Sequence, residues 1–286
     1  MKKSVLLSLI LSAFVLLGCS KSGDNTFNTL QQIGLRGPVK STETATFDAS
    51  MRFGEVEKGK LTQERDYHYG IAICACILAE YNEDGNSIKT TIKNHQGRII
   101  QMYKSEYFQK DRVGYMRYDS DGELTSSWKI ILKDNKPVSM DVYERNSEYD
   151  SITGVLDGFL PKTFLYYKDG NIGRREELTY ENGLCISSIT TRQDGYNYRF
   201  EWERNETGGI TRSRVSDVDE EMLVEDMTID ERGYLTHYTR RGTWEPEEID
   251  YKLEYLSFDD HGNWTQRVIY KNHKPLYLQE RTIVYY

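Results

Sequence analysis

The residues of this chain that could do chemistry are mainly carboxylates, tyrosines and histidines, and their spacing does not match a catalytic motif. The sequence holds 45 Asp and Glu, 22 Tyr and five His residues. It contains no Gly-x-Ser-x-Gly elbow, phosphate-binding loop, His-Glu-x-x-His or Cys-x-x-Cys. The histidines are scattered, at His68, His95, His237, His261 and His273. We therefore predict that the protein is not an enzyme and uses neither a cofactor nor a metal.

Two groups of acidic residues invite a sharper interpretation. A glycoside hydrolase needs two converging carboxylates, but the densest acidic group, Glu220 to Glu225, is typical of a solvated surface. The run Asp119-Ser120-Asp121-Gly122 resembles the start of a calcium loop. Such a loop needs further oxygen ligands and a distal carboxylate, and none follows in register. Asp and Asn before Gly also suit tight turns, so we predict a turn.

One aromatic stripe could bind sugar. Its members alternate along the chain at Tyr196, Tyr198, Phe200 and Trp202. On an exposed face these rings could stack against a glycan. Strict alternation is equally the pattern of a strand whose aromatic face is buried in a core. We favour the buried alternative and retain the four residues as candidates for glycan stacking.

The elements that must position these residues are β-hairpins. The motif Tyr118 to Leu124 (Tyr-Asp-x-x-Gly-x-Leu) recurs at Ile229 to Leu235 and at Phe258 to Trp264. Each copy is an apolar residue, a polar turn with Gly and an apolar residue that begins a strand. A looser copy begins at Tyr81. A second turn follows the copies at Tyr81, Tyr118 and Phe258, and it uses Gly97 after Tyr81 and Lys-Pro after the other two. The sequence therefore predicts a mainly β fold, an antiparallel meander forming an extended twisted sheet or open solenoid.

Four segments depart from this pattern. Thr26 to Gly34 predicts a short helix, and Asp217 to Glu225 predicts one helical turn or a long loop. Glu144 to Pro161 interrupts the repeat and predicts an irregular excursion. Ile71 to Ala79 is apolar throughout and predicts a single strand buried on both faces.

Three cysteines fall within the predicted β domain. Cys74 and Cys76 would point to the same side of a strand and could not easily bridge each other. One disulfide, from Cys185 to either of them, is an alternative. We prefer the interpretation that all three are small, apolar core residues.

The first residues predict membrane attachment. Lys2 and Lys3 precede an apolar stretch from Val5 to Leu17, which is too short for a mature membrane span. Leu16-Leu17-Gly18-Cys19 resembles a bacterial lipobox, which implies cleavage before Cys19 and acyl chains such as palmitate on that residue. Ser20 in place of Asp favours the outer membrane. The chain then divides into a signal peptide (1–18), a tether with a short helix (19–34) and a β domain (35–286).

The charge balance limits the partners. The chain carries 37 basic and 45 acidic residues and a formal net charge of −8. Removal of a signal peptide with two lysines would make the remainder more negative. An acidic exterior repels phosphate backbones, so we predict no binding to nucleic acid.

The repeat motif also supports a resemblance to known proteins. Tyr118 to Leu124 resembles the YD repeats of RHS-type proteins. Together with the lipobox, Gly34 to Ser41 and His261 to Arg267 resemble predicted lipoproteins of Bacteroidetes with degenerate RHS/YD-like repeats. The resemblance concerns architecture and implies no activity. Hairpin repetition and a lipid anchor, without a convergent polar site, instead predict a non-catalytic scaffold or binding protein of the cell envelope, on its periplasmic or exposed side. Its partners would be the membrane, through lipid, and an envelope glycan or another protein. The alternative is a glycan-binding module or weakly marked glycan hydrolase.

Overall fold

The structure is a computed structural model, and it describes six stretches of the chain: 29–68, 71–108, 111–206, 208–217, 220–243 and 247–286. The predicted signal peptide, Cys19 and the start of the predicted helix at Thr26 lie outside these stretches. Of the predicted helix, one turn is present as α1 (Thr29–Gln32). Within the described residues, none of the helices has the length and apolar character needed to cross a bilayer.

The rest of the described chain is almost entirely β-strand, as predicted. The strands are β1 (Val39–Arg52), β2 (Glu55–Leu61), β3 (Asp66–His68), β4 (Ile71–Ile73), β5 (Cys76–Tyr81), β6 (Ser87–Lys93), β7 (Ile99–Phe108), β8 (Asp111–Tyr118), β9 (Leu124–Lys133), β10 (Lys136–Glu144), β11 (Ser151–Asp157), β12 (Leu160–Lys168), β13 (Asn171–Glu181), β14 (Leu184–Arg192), β15 (Asn197–Arg204), β16 (Ile210–Asp217), β17 (Glu221–Ile229), β18 (Leu235–Gly242), β19 (Ile249–Phe258), β20 (Trp264–Lys271) and β21 (Lys274–Tyr285).

The strands form a closed barrel. From β5 to β21 each strand pairs antiparallel with the next, so the predicted meander is confirmed. β1 closes it, because one edge of β1 pairs with β21 and the other edge pairs with β5. The described pairings thus form a ring of eighteen strands, β1 and β5 to β21. The prediction of an open solenoid or twisted sheet is wrong, since closure leaves the ring without a free edge.

The barrel wall has one buried face and one charged face. Ser188, Phe200, Val215 and Leu223 lie side by side on four neighbouring strands, and each is at most 6% exposed. The residues one position along face the other way. Ser187, Glu201, Arg214 and Arg241 among them are polar or charged, whereas Val224, between the two arginines, is 2% exposed. Successive side chains alternate between faces. We call the buried side the inner face and the charged side the outer face.

The inner face is filled with side chains. One core cluster joins residues of β8 to β17, including Trp128, Phe164 and Trp202. A second forms around Ile71 and Ile73, which are 0% exposed and pack against inner-face residues of β17 to β21. The hairpin β3–β4 therefore lies inside the barrel.

The strand predicted over Ile71 to Ala79 is two strands. The chain bends at Cys74 and Ala75, where it leaves the interior and enters the wall as β5. The Gln279 side-chain amide holds the inner part by donating a 2.8 Å hydrogen bond to the Ala72 carbonyl. The run is apolar throughout because both parts are enclosed, so its composition could not reveal the bend.

Two other local predictions are wrong. The described residues between Asp217 and Glu225 are the end of β16 and the start of β17. Glu225, expected on a solvated surface, is 5% exposed and accepts a 3.0 Å hydrogen bond from the Ser213 hydroxyl. The excursion predicted over Glu144 to Pro161 contains the regular strand β11. β11 carries Gly154, where a Cβ would lie 1.8 Å from the Met140 methyl group. Gly154 leaves room for the large Met140 side chain. A glycine in the middle of a strand, however, weakens the pattern by which the strand could be recognised in the sequence.

The predicted turns are confirmed in two types. In the Asp119 turn, Oδ1 accepts hydrogen bonds from the N–H groups of Asp121 and Glu123 at 3.0 and 2.9 Å, and Gly122 has φ of 78°. The turns that begin at Asn94, Asp230 and Asp259 repeat these bonds. The carboxylate or amide thus caps backbone N–H groups.

The Lys-Pro turns are shorter. Asp134 and Asn135 form one such turn, and Asn272 and His273 form the other, all at positive φ. Pro137 and Pro275 are the second residues of their strands, where the ladder register shifts. Both prolines therefore lie at strand starts.

Candidate functional site

The barrel has two different ends. The N-terminal end carries α1, the start of β1 and the turn that precedes β6. Because the strands alternate in direction, the loop 145–150 and the turns after β12 and β14 lie at the opposite end, which we call the distal end.

Aromatic and charged residues converge on the inner face at the distal end. Tyr166, Arg174 and Arg192 form one row across β12, β13 and β14. Glu176, Thr190 and Tyr198 form the next row across β13, β14 and β15. We define the Tyr–Arg cluster as these six residues together with Tyr149.

At the buried floor of the Tyr–Arg cluster, the ion pair between Arg174 and Glu176 packs against the Tyr166 ring. The Arg174 guanidinium carbon lies 4.3 Å from the Tyr166 ring centre, and its Nη2 lies 3.0 Å from Glu176 Oε2. The Tyr166 hydroxyl donates to the same carboxylate oxygen at 3.4 Å. Burial and then the Glu176 carboxylate raise the pKa of Tyr166, which therefore stays neutral at physiological pH. Burial lowers the pKa of Arg174, but Tyr166 and Glu176 outweigh it, and the pKa is raised overall.

The loop 145–150 supplies one wall. The Tyr149 ring lies 5.2 Å from the Tyr166 ring at an interplanar angle of 57°. It also lies against β13, where a Cβ at Gly173 would be 3.0 Å from Tyr149 Cε1. The loop predicted to be irregular therefore places a specific side chain in the cluster.

The rim of the cluster is open to solvent. Arg192 lies 3.4 Å from Glu148 and 3.3 Å from Asp194. Tyr196 is 46% exposed, and its ring lies 5.6 Å from that of the half-buried Tyr198. The cluster is thus graded from an exposed rim to a buried floor.

Two buried polar atoms of the cluster have no hydrogen-bond partner in the described structure. They are Nε of Arg174 and the hydroxyl of Thr190, a residue that is 1% exposed. An unmet buried donor or hydroxyl costs about 1–3 kcal/mol. Sequence reasoning missed both residues, because an Arg and a Thr in a β-strand carry no local signal of a site.

The predicted aromatic stripe is divided by the structure. Phe200 and Trp202 are each 6% exposed and stack on each other inside the core, with ring centres 6.1 Å apart. They cannot stack on a sugar, because their ring faces are covered by protein. Tyr196 and Tyr198, at the start of the stripe, reach the distal rim. Substituting Trp202 would therefore test the core and not a binding surface.

At the N-terminal end, the two motifs that carry the resemblance to lipoproteins contact each other. The Asn263 side chain accepts a 2.8 Å bond from the Arg36 N–H and donates a 2.8 Å bond to the Arg36 carbonyl. It also donates to the Tyr285 hydroxyl at 2.7 Å. The His261 ring stacks on Tyr285 at 4.0 Å and covers Gly37, where a Cβ would clash at 2.8 Å. We call these contacts the latch.

Asp259 supports the latch from its turn. Burial acts to raise the pKa of Asp259, but hydrogen bonds from the Tyr285 hydroxyl and the N–H groups of Asn263 and His261 hold it below its usual value. The carboxylate is therefore ionised and fixes both the turn and the last strand.

Other regions offer less chemistry. A groove of about 650 Å³ at the N-terminal end is mostly apolar and contains one ion pair, Glu106 to Lys129 at 3.1 Å. Within the described stretches no three His, Cys, Asp or Glu residues are grouped to hold a metal. Cys74, Cys76 and Cys185 form no disulfide among the described residues, so the alternative of a bridge from Cys185 is wrong, and burial raises the pKa of Cys76 to about 11.

Comparison with known proteins gives weak similarities. No protein-family model and no curated protein matches the chain. A porin-like protein from Bacteroides uniformis is 11% identical over 86% of this chain and 98% of its own, with a TM-score of 0.36. A porin-like protein from Bacteroides vulgatus is 11% identical over 87% and 98%, with a TM-score of 0.33. A chain in the TcdB2–TccC3–Cdc42 structure is 15% identical over 72% and 10%, with a TM-score of 0.32. Similarity at this level carries no argument about activity.

Proposed function

We propose that this protein is a non-catalytic scaffold or binding protein of the cell envelope, held to the outer membrane by lipid on Cys19. The observation that carries the proposal is the division of the barrel wall into a charged outer face and a filled inner face. This division suits a domain that stands in water and presents a rigid surface.

Ion pairs lie on the outer face of several strands. Asp226 pairs with Arg212 and, at 3.3 Å, with Arg241. Arg175 pairs with Glu177 at 2.6 Å on a distant strand. A barrel wall in contact with lipid carries an apolar band about 25 Å tall, and a charged Arg or Lys at its midplane costs about 2–4 kcal/mol. The outer face is therefore suited to water.

The packing of the interior favours a scaffold function over a channel function. The inner face contributes Trp128, Phe164 and Tyr238, each at most 8% exposed, and the β3–β4 hairpin adds Ile71 and Ile73. Passage of solutes would need a lumen lined by polar groups and filled with water. Packing of this kind instead gives the wall rigidity.

The latch fits a tethered domain. The chain that follows the predicted lipid site enters the barrel through α1, where the Leu30 N–H donates a 3.1 Å bond to the Gly85 carbonyl. The backbone of Arg36 then binds Asn263, so tension on the tether would be shared with β20 and β21. The distal end, with the Tyr–Arg cluster, would point away from the attachment.

Membrane fractionation of a Cys19→Ala variant tests the attachment. We expect this variant to accumulate as an unprocessed or mislocalised precursor, because the lipid acceptor is gone. Cys76→Ala, which removes a half-buried thiol, serves as the matched control and should fractionate like the native protein. Normal processing and membrane association of Cys19→Ala would refute the proposal.

A further inference from the structure

We propose that the Tyr–Arg cluster binds a neutral sugar ring of an envelope glycan. The inference rests on the proposed role as a binding protein, and it names the class of ligand and the residues that hold it. We base the proposal on two buried groups, Arg174 Nε and the Thr190 hydroxyl, which lack hydrogen-bond partners within the described structure.

The two groups that lack partners, Arg174 Nε–H and the Thr190 hydroxyl, match the hydrogen-bonding capacity of a sugar hydroxyl. The Nε–H of Arg174 can only donate, whereas the Thr190 hydroxyl can both donate and accept. A sugar hydroxyl is also both donor and acceptor, so neighbouring hydroxyls of one ring could satisfy both protein groups. The ligand would then remove a desolvation cost that the free protein carries.

The register places these groups within the span of one sugar ring. Thr190 lies directly opposite Glu176 on one side and Tyr198 on the other. Cβ atoms of such pairs are about 4.5–5.5 Å apart. Arg174 lies two residues before Glu176 on the same inner face, and its guanidinium is fixed by that carboxylate. The arrangement therefore holds donors and acceptors in fixed positions before a ligand arrives.

The charges of the site favour an uncharged ligand. Arg174 is already paired with Glu176, and Arg192 with Glu148 and Asp194. An anionic sugar would approach these three carboxylates and that of Asp217, which lies opposite Tyr198 on the inner face, and a cationic ligand would approach two guanidinium groups. Because the charges are already paired, the site can bind a ligand mainly through directional hydrogen bonds, which suit a polyol.

The aromatic residues supply the apolar contacts that a sugar ring needs. Tyr149 and Tyr198 line the half-buried wall, and Tyr196 extends it to the rim. Burial raises the pKa of Tyr149 and Tyr198, so both stay neutral. Their ring faces can pack against the C–H groups of a sugar.

Isothermal titration calorimetry on the full-length lipoprotein in detergent tests the site. The probes are neutral gluco-, manno-, galacto- and xylo-oligosaccharides, with oligogalacturonate as an acidic comparator. Thr190→Val removes the open hydroxyl and keeps the side-chain shape. Thr191→Val makes the same change on the outer face, where Thr191 is exposed, and is the matched control.

We expect at least one neutral series to bind. Thr190→Val should weaken that binding about tenfold through lost hydrogen bonds, and Thr191→Val should leave it unchanged. The melting temperature of Thr190→Val should not fall, because the hydroxyl that it removes has no partner in the folded protein. Tyr196→Ala, at an exposed position, should weaken binding without affecting folding.

Three outcomes would overturn the site: no neutral oligosaccharide binds, only oligogalacturonate binds, or Thr190→Val binds as tightly as the native protein. Each leaves the fractionation of Cys19→Ala unaffected. Failure of the sugar site is therefore distinguishable from failure of the proposed envelope role.

Discussion

At the scale of single residues, Asn263 joins the two ends of the chain. Asn263 is 0% exposed. Its side-chain amide forms hydrogen bonds with the backbone N–H and carbonyl of Arg36, which is 227 positions away, and with the hydroxyl of Tyr285. An Asn side chain can donate and accept at once, which no apolar residue of similar size can do.

Asn263→Ala should therefore lower the free energy of unfolding by about 2–3 kcal/mol, because it leaves buried partners unmet. Asn94→Ala is the control, since Asn94 caps a turn at the exposed distal end and its loss should cost about 1 kcal/mol or less. Urea denaturation of both variants measures the difference. Equal losses would show that the latch adds nothing beyond an ordinary turn.

The residue types of the latch were visible in the sequence, but their contact was not. Gly34 to Ser41 and His261 to Arg267 were recognisable as motifs, and pattern alone does not show which distant segments meet. The same reason hid the Tyr–Arg cluster, whose members come from a loop and four strands. Among its members only Tyr198 had a local signal, as part of the aromatic stripe. Phe200 and Trp202 shared that signal while lying in the core.

At the scale of elements, the turns determine most of the architecture. The Asp-x-x-Gly turn uses an acidic or amide side chain to cap two N–H groups and a glycine to reach positive φ. Such chemistry is local, which is why the hairpins could be predicted from sequence. β11 and the β16–β17 hairpin were missed because Gly154 and a run of acidic residues obscured the alternation.

Substitutions at Gly122 test whether the turn requires a residue that tolerates positive φ, because no neighbouring atoms would clash with an added side chain. A Cβ there would meet nothing within 4 Å, and φ is 78°. Gly122→Ala should therefore destabilise by about 1–2 kcal/mol through backbone strain alone. Gly122→Asn should cost less, because Asn tolerates this conformation. Denaturant midpoints of the two variants provide the measurement, and an Ala variant as stable as the native protein would contradict the mechanism.

At the scale of the whole molecule, closure is the feature that the sequence did not predict. A meander can stay open or close, and the outcome depends on whether β1 accepts both β21 and β5. Those pairings join residues at opposite ends of the chain. The periodicity of each strand predicts that it has two different faces, but it does not show which face is enclosed.

We expect the enclosed face of the barrel wall to be dry and the charged face to be in water. Labelling with a water-soluble maleimide in isolated native membranes tests this directly, in a Cys76→Ser background. Glu201→Cys reports on the outer face, where the Glu201 side chain is 43% exposed, and Ser188→Cys reports on the interior, where Ser188 is 1% exposed. We predict rapid labelling of Glu201→Cys and labelling of Ser188→Cys only after denaturation. Protection of Glu201→Cys with rapid labelling of Ser188→Cys would contradict the account, because it would mean a wall in lipid around a water-filled lumen.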